Sequence, residues 1–442
     1  MSLHDFLKAF PTRDSCLSWR LLLSTLPPIS ILLLILLTLF FPASVSFVQF
    51  TPFFSSAPKI QPIDTSTYQT TRSQPPPPHW STPPVNSAER WREEMGRSRI
   101  AVCLVGGARR FELTGPSIVD NILAPYPNAD LFLHSPLDEN SFKFSLLKLA
   151  SKIVSLRIFD PQHISETPPQ VRLLTADGSP NGIQGLLQYF NLVEGCLRLI
   201  EDFQSMNNFT YDWIVRTRVD GYWNAPLQPE FFESGKYIVP QGSAYGGLND
   251  RFGVGDLRTS KVALSRLSLV PKLDQAGFRK LNSEGSFKAQ LTTHNVSYAE
   301  KRLPFCVVSD RRYMYPPLHN GVPVAAMSSP GPLSGVKCRP CQATCRGECV
   351  ERTVEGMSRE WSWTEWRNGT MELCDAHGKW ESGWEREFDR VAGPKYAGFR
   401  MEVEKMKVKE CAEDFEQVKR RLAGKWEAPP AEEICRLGLS SR

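Results

Sequence analysis

The stretch from Asp212 to Asp220 reads DWIVRTRVD and holds the residues best suited to chemistry. A strand alternates its faces, so Arg216, Arg218 and Asp220 point one way and Val215, Thr217 and Val219 the other. Tyr211, Trp213 and Ile214 mark an interior strand. There, two guanidinium groups and a carboxylate are costly unless they are paired or hold a charged ligand. Sheets of the α/β class bind ligands at the C-terminal ends of their strands. Two readings stand on these residues alone: a ligand site, or an internal Arg–Asp brace.

Other groups could join them. Ile100–Val105 is an unbroken apolar run that ends in Gly106-Gly107-Ala108-Arg109-Arg110. The run fits a strand covered on both faces. The glycines would let a ligand approach the backbone, with Arg109 or Arg110 supplying charge, although a plain turn uses glycines too. Asp250 and Asp256 flank Gly253 and Gly255 and are either ligand-side carboxylates or turn residues. Glu284 precedes the helix expected at Phe287–Leu291 and is a candidate base, in a place where a helix carboxylate needs no function. His134 and His294 read as structural. The chain has no G-x-S-x-G, HExxH, P-loop or GxGxxG, which argues against the common hydrolase and kinase classes and a dinucleotide site.

The elements around these residues alternate. Short strands are expected at Asp130–His134, Ile153–Phe159, Tyr237–Val239 and Phe305–Val308. Thr114 and Thr259 are candidate N-caps of helices, the first running through Leu123. Leu186, Phe190, Val193, Leu197 and Ile200 step at helical period. The pattern predicts an α/β sandwich with a mainly parallel sheet over 99–329. From 330 to 442 the composition changes to a small Cys/Trp-rich domain. Cys338, Cys341, Cys345 and Cys349 cluster there, with Cys374, Cys411 and Cys435 beyond. Four cysteines within one short loop read as disulfides rather than zinc ligands, with connectivity open. Cys103 and Cys196 read as buried thiols. Trp361, Trp363, Trp366, Trp380, Trp384 and Trp426 make either a core or a sugar-stacking surface. Phe399, Val403, Met406, Cys411, Phe415, Val418 and Leu422 predict one long helix ending near Gly424.

The N-terminus gives an address. No charged residue lies between Leu21 and Pro58, and the run over 21–42 is long enough to cross about 30 Å of hydrocarbon. Lys8, Arg13 and Arg20 precede it, which predicts a cytosolic tail over 1–20, a signal anchor and a lumenal remainder. A cleaved signal peptide fits less well, because the leader and the apolar run are both long. A Pro/Ser/Thr-rich stem follows over 43–98. Sequons at Asn208, Asn295 and Asn368, and ten of the eleven cysteines, fall on the lumenal side. A net charge of +5 over 442 residues is mild and forms no nucleic-acid-binding stripe.

The GGARR turn, the DLFLHS strand, YDWIVRTRVD and NDRFGVGD, in that order, resemble a family of uncharacterised plant type II membrane proteins. More distantly they are similar to glycosyltransferases of the GT-A type with an R-T-R-x-D strand end. The resemblance spans about Arg99–Tyr315. It implies a Golgi or other endomembrane protein moving a sugar from a nucleotide-sugar donor to a glycan acceptor. Gly106, Gly107, Arg109, Arg110, Arg216 and Arg218 would then bind the nucleotide, and Asp220, Asp256 and Glu284 would act in catalysis. Mn²⁺ or Mg²⁺ would be held by Asp220 and Asp250. Asp220 stands where the last Asp of a D-x-D would fall, but Arg218 replaces the first, so arginines could neutralise phosphate instead. The alternative is a lumenal glycan- or protein-binding module that keeps the fold without catalysis.

Overall fold

In the computed structural model, the described residues run from 91 to 440, except 92, 178, 180, 313–322 and 356–370. The expected membrane span, most of the stem, Asn368, Trp361, Trp363 and Trp366 lie outside them. The folded part starts earlier than Arg99. Residues 93–97 are helical, and Met95 is buried because it reaches the core below the first strand.

The apolar run forms β1 (Ile100–Val105), with every residue buried. It is flanked by β2 (Ala129–Pro136) and β4 (Trp213–Arg218), both parallel to it. β3 (Ile153–Phe159) lies outside β2. The chain therefore winds outward through β2 and β3, then crosses back to lay β4 on the other side of β1. That crossing makes the β1/β4 junction a topological switch point. β7 (Phe252–Asp256) runs antiparallel to β4 and to β6 (Lys236–Pro240), and β8 (Ser297–Lys301) closes that side parallel to β6. The strand β13 (Trp426–Glu427) adds to the far edge beside β3, giving eight strands that pair mostly in parallel.

Helices cover both faces. On one side lies α1 (Phe111–Ile118), continuing as a wider turn through Leu123. Thr114 is inside this helix rather than its cap. Its hydroxyl donates to the Val219 carbonyl at 2.5 Å, because the helix packs directly on the turn after β4. The opposite face is covered by α2 (Gly182–Asn207), whose Leu186, Phe190, Val193, Leu197 and Ile200 are buried as their period predicts. Cys103 and Cys196 are joined as a disulfide that ties β1 to α2, not left as thiols. Next come α3 (Leu257–Leu264) and α4 (Ser283–Thr293). Asp256 caps α3 by accepting from the Thr259 amide at 2.8 Å, so Thr259 is the third helical residue and not the cap.

After the large sheet, β5 (Gly221–Trp223), β9 (Phe305–Val308), β10 (Pro323–Ala326), β11 (Val336–Arg339) and β12 (Leu373–Asp375) make a second sheet of five strands. It draws strands from both sides of residue 330. The single long helix expected over 399–422 is two, α5 (Pro394–Lys405) and α6 (Val408–Arg421), with extended backbone at Met406 and Lys407 between them. A further disulfide, Cys411–Cys435, joins α6 to α7 (Ala431–Leu439). The cysteine cluster reaches outward as well as closing on itself. Cys345 pairs with Cys349, while Cys338 pairs with Cys306 and Cys341 with Cys374. Trp380 and Trp384 pack at the margin of the core of this second sheet.

Candidate functional site

Parallel register sets Val105, the last residue of β1, beside Arg218, the last of β4. Gly106 leaves β1 at φ 121°, and a Cβ there would meet the Val219 side chain at 3.0 Å. Gly107 is equally tight, with the Asp138 carboxylate 2.9 Å from where its Cβ would stand. Glycine is thus required at Gly106, where a positive φ and a close neighbour coincide, while at Gly107 a side chain would have to displace the Asp138 carboxylate.

Arg216 and Arg218 share the face of β4 that lies under α2, but their surroundings differ. Arg216 is 3% exposed and donates to the Asp250 carbonyl and the Tyr189 hydroxyl. The expectation that it binds nucleotide is therefore corrected: it braces β4 against α2 and the loop before β7. Arg218 reaches the strand end, with its side chain 32% exposed. It clasps Asp220 through Nε at 2.7 Å and Nη2 at 2.6 Å. Burial opposes both charges, and their mutual attraction outweighs it, so the arginine pKa rises and the aspartate pKa falls.

Asp250 belongs to the same strand end, because β7 begins beside Thr217. It is 5% exposed, accepting from the Ser283 hydroxyl at 2.5 Å and Arg266 at 3.4 Å. Burial works against its charge, and Arg266 and then Arg216 hold its pKa below the usual range. Glu284, in the first turn of α4, is drawn to the same place. Burial, and then the Asp250 charge, push its carboxyl up to about 7. A group titrating near neutrality at a strand end suits general base work.

Asp256 is not part of this group. It pairs with Trp213 at the start of β4, so it lies at the opposite end of the strands, where it accepts from the Thr259 and Gly235 amides. Arg110 is also spent elsewhere. It donates to Asp310 at 2.7–3.0 Å and stacks on Trp380 with 4.0 Å to the ring centroid. It anchors the GGARR turn to the C-terminal region. Arg109 is exposed. His134 is a core residue, stacked on Phe159 and hydrogen-bonded to the Leu192 carbonyl, and its pKa is lowered to about 4 chiefly by burial.

One group gave no sign of itself in the sequence. Lys337 is half-buried on β11, and burial, then the charges of Arg251, Arg311 and Arg218, push its ammonium down to about 7. A lone lysine among VKCR carries no signal, since its neighbours arrive from four other segments. Two concavities lie away from this junction, one of about 300 Å³ at Glu93, Ser98 and Asp212 and one of about 610 Å³ at Leu137, Pro430 and Leu437.

A hard divalent cation does not fit the donors at hand. Both Asp220 oxygens face Arg218, the side chain two residues earlier is itself a cation, and Asp250 is buried against Arg266 and Ser283. Among the described residues, no three His, Cys, Asp or Glu side chains gather as a metal set.

None of the curated proteins compared with the chain matches it. Residues 95–441 match the model of DUF7796, a domain of unknown function. With its glycine turn, ion pair and perturbed Glu284 and Lys337 all inside that span, the chain belongs to this family.

Proposed function

We propose that the protein is a single-pass type II endomembrane protein whose lumenal part transfers a sugar from a nucleotide-sugar donor to a glycan or glycoprotein acceptor. The observation that carries this reading is the Arg218–Asp220 pair at the β1/β4 switch point, with Asp250 held there by Ser283, the neighbour of Glu284. Ligands of α/β sheets bind at such a junction. Cations there would offset the charge left on the departing nucleotide, and Glu284, titrating at about 7, would take the proton of the acceptor hydroxyl. Gly106 and Gly107 would admit the donor close to the backbone. The partly exposed position of Arg218 and Asp220 keeps the pair within reach of a ligand.

A second reading is favoured by one contact. The bidentate Arg218–Asp220 pair satisfies itself, as a non-catalytic glycan- or protein-binding module would allow. The test is turnover of a nucleotide-sugar panel by the full-length chain, with glycan acceptors and with or without Mn²⁺. Release of nucleoside diphosphate that depends on acceptor is expected. If no donor is turned over while a glycan array binds, the non-catalytic reading takes its place.

A further inference from the structure

The carboxyl ends of β2, β3 and β13 border an open groove of about 610 Å³, within the size range of small-molecule sites. Because the three strands run parallel, Pro429 and Pro430 leave β13 at the same end of the sheet as Leu137 leaves β2. Leu137 is tied to the end of β3 by its amide, which donates to the Phe159 carbonyl at 2.7 Å. Across the groove stand Ile434 and Leu437 of α7. That wall is fixed in place. Gly438 packs against the Glu139 carbonyl with no room for a side chain, and Cys411–Cys435 ties α7 to α6. Leu437 still stands 50% exposed, so the fold leaves apolar surface uncovered here.

Asp138 follows Leu137 and joins the groove to the glycine turn after β1. Its Oδ1 accepts from the Asn140 amide at 2.8 Å and from the Ser141 hydroxyl at 3.4 Å. Its Oδ2 reaches the turn, 2.9 Å from where a Gly107 Cβ would stand, and has no hydrogen-bond partner among the described residues. Neighbouring strands lie about 4.8 Å apart, so β3 ends roughly 10 Å from β1, the span of a nucleoside diphosphate. Apolar walls suit the faces of a flat base, whereas glycan hydroxyls would lose water there without partners. Resting on the nucleotide-sugar reading, we infer that this groove holds the base of the donor nucleotide, with Asp138 accepting from its ribose hydroxyls and the diphosphate lying over Gly106 and Gly107. Each part then meets its complement: apolar wall for the base, a carboxylate for the hydroxyls, and backbone without side chains for the phosphates.

The test is calorimetric titration of the full-length chain with UDP, GDP and pyrophosphate, in EDTA and in Mn²⁺, and with the 2′,3′-dideoxy form of the tighter nucleotide. That nucleotide should bind at least about 10-fold more tightly than pyrophosphate, and its dideoxy form about 10–100-fold more weakly, the scale of one charged hydrogen bond. Asp138→Asn keeps the Oδ1 acceptor for the Asn140 amide and should shrink the ribose preference to below about 3-fold. Leu437→Gln should weaken the nucleotide about 3–10-fold and leave pyrophosphate unchanged. Melting curves that match the wild type show that both variants fold, and Leu437→Gln decides the matter should Asp138→Asn fail to. A nucleotide no tighter than pyrophosphate, a folded Asp138→Asn chain with the wild-type ribose preference, or Leu437→Gln at wild-type affinity overturns the inference and leaves the nucleotide-sugar reading standing. No binding of any probe in either condition removes both.

Discussion

Two arginines two residues apart on one strand face meet opposite fates. Arg216, against the N-terminal part of α2, is sealed by Tyr189 and the Asp250 carbonyl, while Arg218, one pleat further, meets solvent and Asp220. Asp220→Asn keeps the size and removes the charge that holds Arg218. For a partly exposed bidentate pair that should cost about 1–2 kcal/mol of stability, leaving the protein folded but inactive in turnover. Unfolding of the variant in a denaturant melt would mark Asp220 as a brace. Glu284 sets the pH profile. As a base it must be ionised, so the rate should rise with pH through about 7, and Glu284→Gln should erase that limb and lower kcat by roughly 10²-fold or more. The stability sign is opposite. With its folded pKa raised from 4.5, Glu284 favours the native state at low pH and loses that contribution as pH rises toward 7.

At the scale of elements, close packing at two glycines positions the site. Gly247 passes against the start of α4 so tightly that an added Cβ would lie 2.0 Å from the Glu284 carbonyl carbon and oxygen. Gly247→Ala must therefore push the first turn of α4 aside. We expect turnover to fall sharply and the pH limb near 7 to shift, because Glu284 moves relative to Asp250. Wild-type kinetics in that variant would show that α4 does not position the base. On the same face, Gly195 lets α2 sit on the His134 ring, since a Cβ added there would lie against the imidazole, and the Cys103–Cys196 disulfide fixes the same contact. Replacing both cysteines with serine should cost about 2–5 kcal/mol, read as a lower unfolding midpoint under non-reducing conditions.

Across the whole molecule, the modifiable and reactive ends separate. Asn208 and Asn295 are exposed at φ 51°, each just after a helix and before a strand start, at the end of the strands opposite Arg218 and Asp220. Glycans there would not cover the strand end that carries Arg218. Protease added to intact microsomes is expected to spare the region after 98, and deglycosylation should shift its size. Asn208→Gln and Asn295→Gln should each remove one glycan without altering turnover. Digestion of that region in sealed vesicles would remove the lumenal premise. Non-reducing peptide mapping should recover the five pairs, including Cys306–Cys338 and Cys341–Cys374.

What the residues alone determined was local. The unbroken apolar run of β1, the helical period of α2 and the polar end of β4 were legible because strand and helix periods are written into neighbouring residues. So was an oxidised cysteine-rich tail, though not its partners. Which charges meet was decided by tertiary structure. Asp250 and Asp256 are six residues apart, and β7 carries them to opposite ends of the strands. Lys337 comes to that side of the molecule only because β11 pairs with β9, and β9 with β5 beside Asp220. Electrostatic energy depends on distance through space and on burial, neither of which sequence spacing reports beyond a few residues. That is why the ion pair's strand was readable, and the cation beside it was not.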